Sequence, residues 1–444
     1  MDSRTVTPTA PVRAFRTVLL AGALSLLSAT AFAQAGGETL FVHAGKLLAD
    51  PSTGKMLTQQ TLVIKGGKVS AIQPGFVGDA SQGRVLDLKD RFVLPGLIDS
   101  HVHLTHEQAP SQRLDGYLKT RSDVTLDGAA FAKKTLMAGF TTVADLGANN
   151  ESVFALRAAT AQGKVPGPRI IASGSSVTPH GGHGDANGVK AEFLDEMRSP
   201  SVCSGDDDCT RAVREQIRAG ADVIKITATG GVLSNTKAGL GQQFSDDELE
   251  AIMETAHAMG RKVTAHAHGV DGVNAALKAG VDSIEHGTYL NAESIALFKA
   301  KGAYLVPTLM AGDFVAREAA KPDTFFTPAQ KSKALEAGPK MLDMATRAIK
   351  GGVKIAFGTD SGVSKHGQNA YEFELLVKAG MTPLQAVQSA TIHAADHLDI
   401  ASEAGKLLPG FGADLIAVEG DPTQDVRTLQ SVKTVVRAGV VYKD

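Results

Sequence analysis

The sequence predicts an α/β protein: a (β/α)8 TIM barrel carrying a small composite β-sandwich domain built from both chain ends. Three observations point there. Between about Pro95 and Leu398, short β-branched runs alternate eight times with helical, often amphipathic stretches. Eight βα units in roughly 300 residues is the size of such a barrel. The flanking segments on both sides are strand-like and punctuated by Gly and Pro, as one sheet domain drawing on both ends would be. A doubly wound open sheet is the main alternative, but no Gly-rich dinucleotide loop follows the first central strand. The 444 residues are 43% hydrophobic and 21% charged, which excludes disordered, collagen-like and coiled-coil classes. A net charge of -2 without a lopsided run excludes a nucleic-acid footprint or a polybasic membrane patch.

In chain order, Arg13 and Arg16 precede an apolar run from Thr17 that ends in Ala31-Phe32-Ala33, a small-x-small cleavage pattern. Residues 1–33 therefore read as a signal peptide cleaved after Ala33, with a mature chain that starts at Gln34 and works outside the cytoplasm, periplasmic or secreted. An uncleaved N-terminal anchor is the rival reading. Residues 34–94 hold the strands of the N-terminal part of the β-domain, among them TLFVHAGKLL, QTLVIKGGKVSAI and GRVLDLKDRFVL. Residues 95–400 are the barrel, with strands at GLIDSHVHL, TTVADLG, RIIASG, DVIKITAT, KVTAHAH, SIEHG, YLVPTL and KIAFGTD. Between them lie helices such as DDELEAIMETAHAMG, many closed by Gly. Residues 401–444 return to the β-domain. Cys203 and Cys209 bracket a short polar loop, and export favours their pairing over two free thiols.

Several of these strands end in metal-ligand residue types. His101 and His103 lie two apart, so both imidazoles share one face of the first barrel strand. Lys225 sits inside Val-Ile-Lys-Ile-Thr, where a buried cation is costly unless it is paired or modified. His266, His286 and Asp360 come from the fifth, sixth and eighth strands. Packing alone does not explain five strand ends that aim such residues at one mouth.

The set His101-x-His103, Lys225, His266, His286, Asp360 resembles the amidohydrolase superfamily in its two-metal form. Val93-Leu94-Pro95-Gly96-Leu97-Ile98-Asp99 and Gly410-Phe411-Gly412-Ala413-Asp414-Leu415 match as well, and the likeness covers essentially the whole mature chain. The stretches His180-Gly-Gly-His183-Gly, Ala228-Thr-Gly-Gly-Val232-Leu-Ser and His266-Ala-His268-Gly resemble its imidazolonepropionase-like or prolidase-like branch. More narrowly, they are similar to bacterial ochratoxin A-hydrolysing amidohydrolases. The resemblance implies two zinc ions bridged by an N6-carboxylated Lys225. His101, His103 and Asp360 would hold one ion, His266 and His286 the other. Lys225 speaks against imidazolonepropionase activity, which in the family uses one metal.

The resemblance also implies hydrolysis of an amide, with Asp360 as the proton shuttle. His183 or His180 could donate to the developing oxyanion, although both could be incidental loop histidines. The Gly230-Gly231-Val232-Leu233 turn is a candidate anion nest. The amides of Val232 and Leu233, with His268 nearby, would hold a substrate carboxylate; His268 could instead orient a ligand. The expected substrate is an N-acyl amino acid or dipeptide with a free C-terminal carboxylate, plausibly ochratoxin A cleaved to ochratoxin alpha and phenylalanine. A two-metal phosphotriesterase or lactonase is the alternative enzyme, and a non-catalytic scaffold the alternative outside catalysis. No nucleic acid is expected as a partner, nor a membrane after cleavage of the signal peptide. The branch implies a homo-oligomer, octamers included.

Overall fold

In the flanking domain, strand alternation separates a core face from a wet face. β1 (Leu40–Leu47), β2 (Leu57–Lys65), β3 (Lys68–Pro74) and β4 (Arg84–Pro95) come from the N-terminal side. Along β4, Leu86 and Leu88 point inward while Asp87 and Lys89 face solvent. The Gly66-Gly67 pair between β2 and β3 has φ of 55° and 75°, the left-handed conformation that a two-residue hairpin turn requires. From the C-terminal side come β15 (Leu415–Val418), β16 (Thr434–Arg437) and β17 (Val440–Lys443). All seven form one sheet in the order β17-β16-β15-β4-β1-β2-β3. Its edge strand β3 reaches the segment before β15, through Val69 N–H to Phe411 O at 3.0 Å and Gly410 N–H to Val69 O at 2.9 Å. The sheet thus curls over a shared core of Val42, Leu62, Leu88, Leu415 and Val436, and the sandwich is one folded sheet.

The computed structural model describes residues 38–190, 192–194, 199–236 and 239–444. The expected signal peptide, its cleavage point after Ala33 and the start at Gln34 lie outside the described residues. Among the described residues no helix is long and apolar enough to cross a membrane.

The two motif stretches at either end of the barrel meet in space. Leu94 and Pro95 of β4 pair antiparallel with Ile416 and Leu415 of β15, and Gly96 N–H donates to Asp414 O at 2.8 Å. From this seam the chain enters the barrel strands β5 (Leu97–Val102), β6 (Phe140–Asp145) and β7 (Arg169–Ala172). After the short pair β8 (Thr178–Pro179) and β9 (Val202–Cys203) follow β10 (Ile224–Thr227), β11 (Val263–Ala267), β12 (Ser283–His286), β13 (Tyr304–Val306) and β14 (Lys354–Ile355). Neighbouring barrel strands run parallel.

Two seams close the ring. Asp222 N–H to Ala172 O (2.9 Å) and Thr227 N–H to Val177 O (3.1 Å) join the β7 side to β10. Ser100 N–H to Phe357 O (2.8 Å) and His103 N–H to Ser361 O (2.7 Å) join β5 to the chain beyond β14. β5, β6, β10, β11 and β12 are buried on both faces, because helices cover the outside. The covering helices carry local stop and start signals. The helix Asp246–Ala258 begins in a Ser245/Glu248 capping box, and Val270–Ala279 ends at Gly280, φ 100°. Cys203 and Cys209 form a disulfide that ties β9 to the helix Asp206–Ala219.

Candidate active site

The C-terminal ends of the barrel strands deliver six polar side chains to one place. His101 leaves β5 and His103 follows it, with ring centroids 5.3 Å apart. Lys225 comes from β10, His266 from β11, His286 from the end of β12, and Asp360 from the segment after β14. Asp360 Oδ1 stands 3.2 Å from His103 Nε2 and 3.5 Å from His101 Nε2, yet it satisfies no hydrogen bond. Across the cavity, the His266 ring lies 4.7 Å from that of His286 and 4.7 Å from that of His268. Two sets place their ligand atoms within 4.8 Å of one another: His101, His286 and Asp360, and His266, His268 and His286.

Three of the imidazoles are locked through the nitrogen that faces away. His101 Nδ1 pairs with Glu285 Oε2 at 2.7 Å, His103 Nδ1 with Gly147 O at 2.9 Å, and His286 Nδ1 with Thr308 Oγ1 at 2.7 Å. Each lock leaves Nε2 as the free atom. Burial holds His101, His266 and His286 well below the ordinary imidazole range, so they are neutral donors of a lone pair. Asp360 is held below the usual carboxylate range despite burial, because His101, His103 and Lys225 face it. Lys225 is only 4% exposed, and burial lowers its pKa. Its ammonium lies 3.4 Å from His101 Nε2.

The residues line a cavity of about 260 Å³ together with His183, Val232 and Leu233. The profile of the amidohydrolase family fits residues 92–442. The chain belongs to the amidohydrolase family. Ochratoxinase from Aspergillus niger is 31% identical to this amidohydrolase over 440 residues, covering 91% of this chain and 87% of its own. A solved Xaa-Pro dipeptidase with methionine bound in its active site superposes with a TM-score of 0.86 at 39% identity, over 91% of this chain and all of its own. The crystal structure of the A. niger ochratoxinase superposes with a TM-score of 0.79 at 29% identity, over 92% and 96% of the two chains.

Of the two loop histidines expected near the chemistry, the amidohydrolase brings in one. His183 packs its ring 4.2 Å from that of His266, with Nδ1 2.5 Å from Ser234 Oγ. His180 is exposed and lines a separate depression with Cys203 and Arg211. The reason is local: Gly182 N–H closes a tight turn onto Pro179 O at 2.7 Å, and His180 N–H is spent on Cys203 O. His180 thus has no place in the cavity. Gly231 lies against His183 so closely that a Cβ there would come 2.1 Å from His183 Cε1. His268 anchors Nδ1 on Thr288 Oγ1 at 2.8 Å and turns its other nitrogen to the cluster, where it is as well placed for an ion as for a substrate oxygen.

Sequence reading missed His106 and Glu285. His106 stacks on the His103 ring at 5.1 Å and lines the cavity. Glu285 is fully buried beneath His101 and is also held by Thr264 and Ser283. An acid inside a barrel strand, beside His286 in Ile-Glu-His-Gly, was the available signal for Glu285.

Proposed function

We propose that this enzyme holds two zinc ions between its barrel strands and hydrolyses the amide bond of N-acyl amino acids or dipeptides with a free C-terminal carboxylate. Ochratoxin A is one such substrate. Export after cleavage near Ala33, on the strength of the basic and apolar pattern from Arg13 to Ala33, and a homo-oligomeric state, on the strength of the resemblance, belong to the same reading. The observation that carries the reading is a single cavity with two kinds of unmet demand. On one side are the orphaned Asp360 Oδ1 and the converging Nε2 atoms. On the other are Val232 and Leu233, whose backbone amides meet no acceptor among the described residues.

The donor set fits the implied metals. Imidazoles and a carboxylate are borderline-soft and hard ligands of the sort zinc takes. His101, His103 and Asp360 would hold one ion and His266 and His286 the other, with a carboxylated Lys225 between them. Carboxylation also resolves the burial of Lys225, since it converts a cation with no ion pair among the described residues into an anion. Bound there, the ions would supply Lewis acidity and an acidified water.

The chain's own groups do the rest. Asp360 accepts a proton from the attacking water and returns it to the leaving nitrogen, which departs as a neutral amine. Burial pushes His183 down to about 3, so it acts as a neutral donor and not as an acid. When the Ser234 hydroxyl donates to Nδ1, the proton sits on His183 Nε2 and can be offered to the developing oxyanion. The amides of Val232 and Leu233 bind the terminal carboxylate.

Masking that carboxylate as an amide tests the reading. A charge-assisted hydrogen bond is worth on the order of 1.5–3 kcal/mol, so kcat/KM should fall by about 10- to 150-fold. Equal turnover of free acid and amide would defeat it and move the substrate class towards neutral amides or esters. Parallel assay of a phosphotriester and a lactone separates the rival activities.

Gly231→Ala is expected to lower kcat/KM by on the order of 100-fold, because an added methyl displaces His183 and the turn together. Unchanged steady-state kinetics in that variant would show that neither group needs its observed position. Gly231→Pro should be worse still, since it also restricts the backbone of the turn.

A further inference from the structure

The turn that offers the two unmet amides is clamped from behind by one helix, Pro328–Ala337. Lys333 Nζ donates to Gly231 O at 2.7 Å and to Ser234 O at 2.9 Å. Gln330 Nε2 donates to Leu233 O at 2.6 Å. Gly231 C=O and Val232 N–H belong to one planar trans peptide, in which the two groups point to opposite sides. A lysine on that carbonyl therefore turns the Val232 N–H away from the helix. It also polarises the peptide, which strengthens the N–H as a donor. Lys333 is half-buried, and among the described residues no carboxylate lies within ion-pair distance of its ammonium. Its charge is left to act on the turn.

We infer that Lys333 is a positioning residue for recognition of an anionic substrate terminus: it orients and charges the Gly231–Ser234 turn without itself lining the cavity. This rests on the carboxylate reading proposed above and assigns its selectivity to a residue 102 positions away in sequence. Two observations meet here independently: among the described residues, the amides have no acceptor and the cation has no carboxylate. Burial alone lowers Lys333 to about 8, as expected for a half-buried ammonium with no carboxylate beside it among the described residues.

The test uses the purified full chain with two probes, N-benzoylglycyl-L-phenylalanine and its C-terminal amide, and calorimetric binding of L-phenylalanine. Lys333→Met should raise KM for the free acid by about tenfold and leave its kcat nearly unchanged. The same variant should leave kcat/KM for the amide as in wild type and weaken L-phenylalanine binding by a similar factor. Lys333→Arg, which keeps the charge and the donors, should restore the preference. Lys333→Gln replaces the Met variant if that one fails to fold, with the melting curve as control. Equal loss on acid and amide, or loss of kcat alone, would reduce Lys333 to a structural role and overturn the inference. If wild type prefers the acid and Lys333→Met keeps that preference, only the role of Lys333 falls. Wild type that shows no preference for the acid overturns the carboxylate reading and this inference with it.

Discussion

Lys225→Ala is expected to yield a folded barrel that cannot hold the proposed pair of divalent ions and has lost almost all activity. The fold should survive because the substitution removes a lysine that is 4% exposed and has no ion pair among the described residues, a group whose burial opposes folding. The metal pair should not survive, because under the proposed reading the carboxylated Lys225 is the group that joins the His101 side of the cavity to the His266 side. Loss of an outer partner of a metal ligand costs roughly 10- to 100-fold, so loss of the bridge itself should exceed that. Metal content by atomic emission beside a melting curve checks both halves. Acetate or formate added to the variant should restore part of the rate by supplying a carboxylate in place of the proposed Lys225 bridge. Two tightly bound ions per Lys225→Ala chain would sink the bridging role.

Asp360→Asn should lower kcat by about 100-fold or more, the usual reach of a positioned acid–base group, and by more than any loss of metal explains. The substitution is well suited to the question. Asp360 has φ of 55°, and Asn is among the few residues that tolerate the left-handed region, so the backbone can keep its course. What changes is the ability to accept a proton and to carry charge opposite His101 and His103. Rates measured across added zinc, with bound metal quantified in each sample, give the answer. Recovery of the full rate at full occupancy would remove the proton shuttle and leave Asp360 as a ligand only.

These two predictions concern residues that sequence reading had already singled out, and the reason is periodicity. Strand ends are legible where alternation and β-branched runs mark them, and a barrel aims all of its strand ends at one mouth. Knowing that His101, Lys225, His266, His286 and Asp360 stand at such ends is enough to bring them together. Loop residues have no comparable rule. His180 and His183 look equivalent in a Gly-rich stretch, and the turn between Pro179 and Gly182 alone sends one outward and the other against His266.

By itself, then, the sequence determined the eightfold alternation, a composite β-domain drawn from both chain ends and the residue types of the centre. Tertiary structure decided three further things. Glu285 and His286 are adjacent, so strand alternation would put them on opposite faces. His286 takes φ of 71°, and both side chains reach His101, Glu285 by a 2.7 Å contact and His286 with its ring 5.4 Å away. His106 became part of the cavity only by stacking on His103. Lys333 reached the Gly231–Ser234 turn only because its helix packs behind that turn. In each case the deciding interaction is a close contact made after the elements pack, between groups whose spacing along the chain follows no period that a sequence displays.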